Sequence, residues 1–280
     1  VAAFNRRKPK TRFPSFARAA RDPAAAPAPR PLRRRGMYLL PNGLTTAALF
    51  SGFYAIVQAM NHDFYTAAVA IFVAMVLDSL DGRVARMTHT QSDFGAEFDS
   101  LSDMVAFGIA PALVVYEWAL LGLGKPGWLA AFVYVSGTAL RLARFNTNLA
   151  VVDKRFFQGL PSPAAAALVA GFVWIVVDDG RYSGPDVAWV AWFVTIYAGL
   201  SMVSNSPFYS FKVINLRKSV PFFAILLIVL AFIITAADPP KVLFALFVVF
   251  GLSGHFVWVV RQLRRRRAAP TVAQTPDQSK

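Results

Sequence analysis

The sequence predicts an all-α integral membrane protein, with about eight transmembrane helices and a polar cavity that faces the cytoplasm. Three observations predict it. Apolar residues make up 56% of the 280 and charged residues only 16%, against about 25% charged in a typical soluble domain, and mean hydropathy is +0.47. Apolar runs recur at close to the ~20 residues that a bilayer-crossing helix needs. The net charge of +14 sits at the two ends: +10 in residues 1–36, +5 in residues 261–280, and −1 in the 224 residues between them. With no Cys in the chain, disulfides, thiol nucleophiles and thiolate metal sites are excluded.

Residues 1–36 read as a disordered basic tail, because the stretch from Asp22 to Pro31 is too rich in Pro and Ala to pack. The chain begins with Val, and Met37 is a candidate start. The membrane domain runs over 37–262, with apolar runs at about 39–60, 65–87, 103–123, 128–147, 163–178, 187–206, 220–237 and 242–260. Turn-forming groups punctuate them: Asn61-His62-Asp63, Gly124-Lys125-Pro126-Gly127, Asp178-Asp179-Gly180 and Asp238-Pro239-Pro240. Residues 263–280 read as a basic, polar C-terminal tail.

Charge in the loops sets the orientation. One set of loops holds Lys154, Arg155, Lys212, Arg217, Lys218 and the four arginines of 264–267. The other holds only Lys125, Arg181 and Lys241, beside Asp63, Asp178, Asp179, Asp186 and Asp238. The basic set belongs in the cytoplasm, and an even number of spans puts both termini there. The basic tails suit anionic membrane lipid; without a basic-aromatic recognition module, nucleic acid is not an expected partner. Period-2 alternation is absent, which argues against a β-barrel.

One segment breaks the apolar pattern. Asp78 and Asp81 stand near the end of the second run, Asp99 and Asp103 at the start of the third. A carboxylate at membrane depth is costly and marks function by default. Asp78 and Asp81 are i,i+3, and Asp99 and Asp103 are i,i+4 with Gly95 one turn earlier, so each pair shares a helix face. A two-helix hairpin would aim all four into one gap. All-oxygen ligands suit hard divalent cations such as Mg²⁺, Mn²⁺ or Ca²⁺, and two such ions would balance four carboxylates. Gly82, Ala85 and Gly95 permit close approach of helices or of a ligand, and Arg86 offers a planar fork to phosphate. The ensemble reads as a pyrophosphate site. The competing reading is of solvated helix ends, or of aspartates paired with Arg83 and Arg86.

The pattern Asp78-x2-Asp81-Gly82-x2-Ala85-Arg86-x8-Gly95-x3-Asp99-x3-Asp103 resembles, at all eight positions, the signature of the CDP-alcohol phosphatidyltransferases. The resemblance implies a helical, usually dimeric membrane enzyme. It also implies a CDP-linked lipid held through two divalent ions on the four aspartates, an alcohol that displaces CMP, and Asp103 as the base for that alcohol. Mg²⁺ or Mn²⁺ would be productive, and Ca²⁺ a non-productive occupant.

Further blocks resemble the bacterial membrane-bound phosphatidylserine synthases within that family: Pro41-Asn42-Gly43-Leu44-Thr45, Arg141-Leu142-Ala143-Arg144-Phe145-Asn146, the stretch from Phe157 to Ala164, and the stretch from Ser204 to Lys212. They imply CDP-diacylglycerol and L-serine as substrates, phosphatidylserine and CMP as products, and the bacterial inner membrane as location. On this reading Gly82, Ala85, Arg86, Gly95, Asn42 and Thr45 meet the CDP-lipid, and Arg141, Arg144 and Lys212 meet the serine carboxylate. Each of the latter groups has a plainer alternative. Asn42 and Thr45 can cap a helix start, Arg141 and Arg144 can snorkel or pair with a helix C-terminus, Lys212 can be an orientation signal, and Pro161-Ser162-Pro163 can be a rigid lead-in to the fifth helix. Three rival functions remain open: the same reaction with glycerol 3-phosphate or an inositol phosphate, a membrane prenyltransferase, and an ion-coupled transporter.

Overall fold

The structure is a computed structural model that describes residues 32–88, 92–147, 156–209 and 222–268. Its long helices are α1 (Leu32–Met60), α2 (Phe64–Met87), α3 (Asp93–Leu123), α4 (Lys125–Thr147), α5 (Ser162–Asp179), α6 (Ala188–Val203), α7 (Phe222–Ala237) and α8 (Pro239–Ala268). Six of them, α1, α2, α3, α5, α6 and α8, are long and apolar enough to cross a bilayer, so the chain is an all-α integral membrane protein. Of the other two, α4 is diluted by Arg141, Arg144, Ser136 and Thr138, and α7 has 16 residues.

The turns use the expected residues. Asp63 caps α2 by accepting the Thr66 N–H at 3.0 Å, and hydrogen bonds from the Thr66 side chain and then its backbone hold the carboxyl below the usual range. Gly124 and Gly180 end their helices at φ +63° and +65°, a region that Gly enters without steric cost.

α5 is the centre of the bundle: every residue from Ala164 through Trp174 is buried. Lipid offers no hydrophobic drive for helices to associate, so small residues and close packing must do it. Gly52 of α1 faces α3 so closely that an added Cβ would sit 2.6 Å from Ala106 Cα. α4 and α6 cross at Gly137 and Gly199, where a Cβ on Gly137 would lie 2.5 Å from the Gly199 carbonyl oxygen. The outward faces carry Phe50, Phe53, Phe132, Phe193 and Phe232, all exposed, as lipid-facing side chains should be.

Four features depart from the sequence expectation. α1 begins at Leu32, inside the segment read as a tail, because Arg33, Arg34 and Arg35 are good helix formers although polar. α8 likewise continues to Ala268, past the expected boundary at 262. α3 starts at Asp93, ten residues before its apolar run, and turns to π-helix over Met104–Ile109 and again over Tyr116–Leu120. A two-stranded antiparallel ribbon, β1 (Phe156–Gln158) and β2 (Pro207–Tyr209), joins the segments before α5 and after α6.

Candidate active site

The last turns of α2 and the first turns of α3 converge. Ser92 caps α3, its hydroxyl accepting the Gly95 N–H at 3.0 Å. From there the helical period carries Gly95, Asp99 and Asp103 along one row. Asp78, Asp99 and Asp103 each present a carboxylate oxygen within 4.8 Å of the other two, and all three are half-buried.

Asp81 is placed differently. It is buried, and Thr45 Oγ1 on α1 donates to its Oδ2 at 2.7 Å. Thr45 also accepts at its carbonyl from Ser102 Oγ of α3, at 3.2 Å. One residue thus ties the three helices that build the site. Asn42 and Thr45 lie between a third and half of the way along α1, not at its start, so helix capping does not account for them.

Beside the carboxylates lies a cavity of about 390 Å³. α1 contributes Pro41, Asn42 and Thr45; α2 contributes Asp81, Gly82, Ala85 and Arg86; and Ser92, Asp93, Gly95, Ala96 and Asp99 close the third side. All six residues assigned from sequence to the CDP-lipid are in this wall, together with two of the aspartates. At Gly95 a Cβ would lie 3.2 Å from Ser92 Oγ and in ordinary contact with Asn42 Oδ1 at 3.6 Å, so a side chain there would crowd the cap and take up space in the cavity wall. Arg86 is exposed at the rim.

Among the described residues the two ion pairs, Arg181 with Asp179 and Lys241 with Asp238, involve none of these aspartates. Like charges this close, with no salt bridge to offset them among the described residues, repel strongly in a site shielded from water. The donor set is oxygen only, and its spacing fits a divalent cation of the Mg²⁺, Mn²⁺ or Ca²⁺ type. Asp78, Asp99 and Asp103 are the residues that could hold it, with Asp81 adjoining.

The second group of sequence-assigned residues divides. Arg141 of α4 interacts electrostatically with Asp103. It donates from Nη1 to Ser162 Oγ at 2.8 Å, and its Nε is buried without a hydrogen-bond partner among the described residues. Arg144, one turn on, donates instead to the Gln158, Met202 and Val203 carbonyls at 2.8, 3.2 and 3.2 Å, and to Asn205 Oδ1 at 3.4 Å. Its guanidinium is a clasp across the ribbon segments. Lys212 lies outside the described residues. The sequence reading missed Ser162 and Ser102 as polar partners of the site; nothing local distinguishes a Ser that meets a distant Arg from one that leads into a helix.

Comparison with known proteins agrees with this geometry. The family model of the CDP-alcohol phosphatidyltransferases matches residues 38–198, which span the cavity, all four aspartates and both arginines. A CDP-diacylglycerol–serine O-phosphatidyltransferase of Helicobacter pylori is 35% identical over 221 residues, covering 77% of this chain and 90% of that protein. One of Mycobacterium bovis is 33% identical over 250 residues, 87% of this chain and 86% of its own length. One of Methanocaldococcus jannaschii is 44% identical over 106 residues, 38% and 49% of the two chains. A matched segment that covers more than half of the chain, with an aspartate cluster built from that segment, makes this protein a member of the CDP-alcohol phosphatidyltransferase family.

Proposed function

We propose that the protein transfers the phosphatidyl group of CDP-diacylglycerol to L-serine, giving phosphatidylserine and CMP. The names of its relatives support the substrates. The single observation that carries the chemistry is the three-carboxylate cluster at the edge of a cavity walled by Asn42, Thr45, Gly82, Ala85, Arg86 and Gly95.

The nucleotide and pyrophosphate occupy the cavity, with Arg86 toward phosphate and the small residues leaving room for the backbone of the ligand. Asp78, Asp81, Asp99 and Asp103 are the residues that would hold two divalent cations, Mg²⁺ or Mn²⁺. Bound there, such ions would neutralise the pyrophosphate and stabilise the leaving CMP. Asp103 accepts the proton of the serine hydroxyl. The serine oxygen forms a bond to the phosphorus that carries diacylglycerol, and the bond from that phosphorus to the CMP oxygen breaks. Arg141 is the cation beside Asp103, and it takes the serine carboxylate. Arg144 supports the surrounding loops, since its donors already meet four acceptors.

The catalytic domain extends over 37–262 and crosses the membrane eight times. α4 and α7 join the six apolar helices as spans, and α7 would reach about 24 Å at 1.5 Å per residue. The basic loops support a bacterial inner-membrane location with both termini and the cavity on the cytoplasmic side. A homodimer embedded in membrane lipid fits the exposed apolar faces. Acids gathered on two adjoining helix ends support an enzyme over an ion-coupled transporter, whose acids would line a path through several helices.

Purified protein given CDP-diacylglycerol and Mn²⁺ is offered serine, glycerol 3-phosphate and inositol phosphate in turn, and CMP is followed. Release with serine alone is expected; release with a phosphorylated acceptor alone overturns the serine assignment and keeps the reaction class.

A further inference from the structure

Among the described residues Arg141 makes one hydrogen bond, to a residue far away in the chain. Its Nη1 donates to Ser162 Oγ at 2.8 Å, while its Nε is buried with no partner among the described residues. A buried donor left unpaired costs roughly 1–3 kcal/mol, so an orphaned Nε in a native fold calls for an explanation. Nη1 is the corner away from Nε. The Ser162 contact therefore leaves the opposite edge of the guanidinium, Nε with Nη2, which is the edge that grips a carboxylate with two parallel hydrogen bonds.

Ser162 is itself held. It is fully buried, and it opens α5 between Pro161 and Pro163, whose fixed φ angles restrict the backbone. The segment before it is docked on the end of α6: Gly159 N–H donates to the Ser206 carbonyl at 3.0 Å, and Leu160 N–H to the Ser201 carbonyl at 2.9 Å. Gly159 takes φ +80°, and a Cβ there would collide with the Met202 carbonyl oxygen. The Arg144 clasp on Gln158 and Met202 closes the same joint. The hydroxyl that meets Arg141 thus stands on a rigid support.

We propose that Ser162 is a positioning residue for the acceptor amino acid: by fixing Nη1 of Arg141 it presents the Nε edge, beside Asp103, to the acceptor carboxylate. The inference rests on the reading of Arg141 as the carboxylate site. Ser162 touches no reacting atom; it acts through Arg141.

The test is a double-mutant cycle on full-length protein in detergent, with the KM for serine, the KM for CDP-diacylglycerol and kcat measured for Ser162→Ala, Arg141→Ala and the double variant. Ser162→Ala should raise the serine KM about tenfold or more, the loss of one hydrogen bond to a charged group. This rise should exceed any fall in kcat and leave the KM for CDP-diacylglycerol unchanged. Arg141→Ala should raise the serine KM further, and adding Ser162→Ala to it should change nothing more. A serine KM that responds to Arg141→Ala but not to Ser162→Ala overturns the positioning role and leaves the Arg141 reading intact. A serine KM indifferent to Arg141→Ala overturns both. Ser162→Gly removes the same hydroxyl in a smaller volume. If both Ser162 variants lose CDP-diacylglycerol turnover altogether, Ser162 is a packing residue and the proposal falls.

Discussion

Thr45 Oγ1 lies 2.7 Å from Asp81 Oδ2, across the seam between α1 and α2. Asp78, Asp99 and Asp103 cluster among themselves, whereas Asp81 is buried and takes its hydrogen bond from a third helix. The four aspartates are therefore not equivalent, and Thr45 is what distinguishes one of them. Thr45→Val keeps the shape and removes the hydroxyl, leaving a buried carboxylate short of a donor. The cost is ~1–3 kcal/mol. The expected outcome is a tenfold or greater rise in the divalent-ion concentration that half-activates CMP release. An unchanged metal-activation curve would mean that the Thr45 contact only braces α1 against α2.

Metal removal gives the plainest check. EDTA should abolish CMP release, and Mn²⁺ or Mg²⁺ should restore it, because the carboxylates of Asp78, Asp99 and Asp103 lie within 4.8 Å of one another with no cationic side chain paired to them among the described residues. Added Ca²⁺, larger and looser in its coordination, should occupy the site and inhibit. Full turnover in metal-free buffer would exclude the metal-assisted reaction.

Gly52 sets how closely α1 approaches α3. A Cβ at this position would come within 2.6 Å of Ala106 Cα, three residues after Asp103. Gly52→Ala must therefore push the helices apart and move the aspartate row. Overpacking of this kind costs ~1–3 kcal/mol. Thermal unfolding in detergent should show a lower midpoint, with activity falling alongside it. Full activity at a lowered midpoint would mean that the α1–α3 seam is uncoupled from the site.

Arg144 should behave as a support. Arg144→Ala removes a planar donor set from four acceptors, and Arg144→Lys cannot reproduce the fork. Both variants should become sensitive to proteolysis around the ribbon and lose kcat/KM for serine and CDP-diacylglycerol alike. A rise confined to the serine KM would return Arg144 to the acceptor carboxylate.

What the sequence made legible follows the range of the interactions. Asp78 with Asp81, and Asp99 with Asp103, are one-turn relations, and helical periodicity alone aligns them. The relations of Thr45 to Asp81 and of Arg141 to Ser162 span 36 and 21 positions, and no local pattern encodes them. The strands β1 and β2 have three residues each, too few for alternation to register. The first turns of α1 and of α3 are polar, so a search for apolar runs starts both helices late. The π-turn that follows Asp103 arises from packing, with Tyr134 donating to the Phe107 carbonyl at 2.9 Å inside it.

Asp103→Asn should separate binding from chemistry. Asp103 shares its cluster with Asp78 and Asp99, and among the four it is the one whose charge acts on Arg141. That position touches both halves of the proposed reaction: the cations on one side and the acceptor on the other. Asn keeps the shape and one acceptor oxygen but cannot take a proton. If Asp103 serves chiefly as the base, CDP-diacylglycerol should still bind in the presence of Mn²⁺ while CMP release falls by ~10²–10⁴-fold, the usual share of general base catalysis. Asp78→Asn and Asp99→Asn, which remove cation ligands without touching the acceptor side, should lose nucleotide-lipid affinity as well. Affinity and CMP release measured side by side in the three variants read the two roles apart. Collapse of affinity in Asp103→Asn to the level of the other two would make it a ligand first. Near-normal turnover would remove it from the mechanism, and the proton of the serine hydroxyl would then need another acceptor within reach of Arg141.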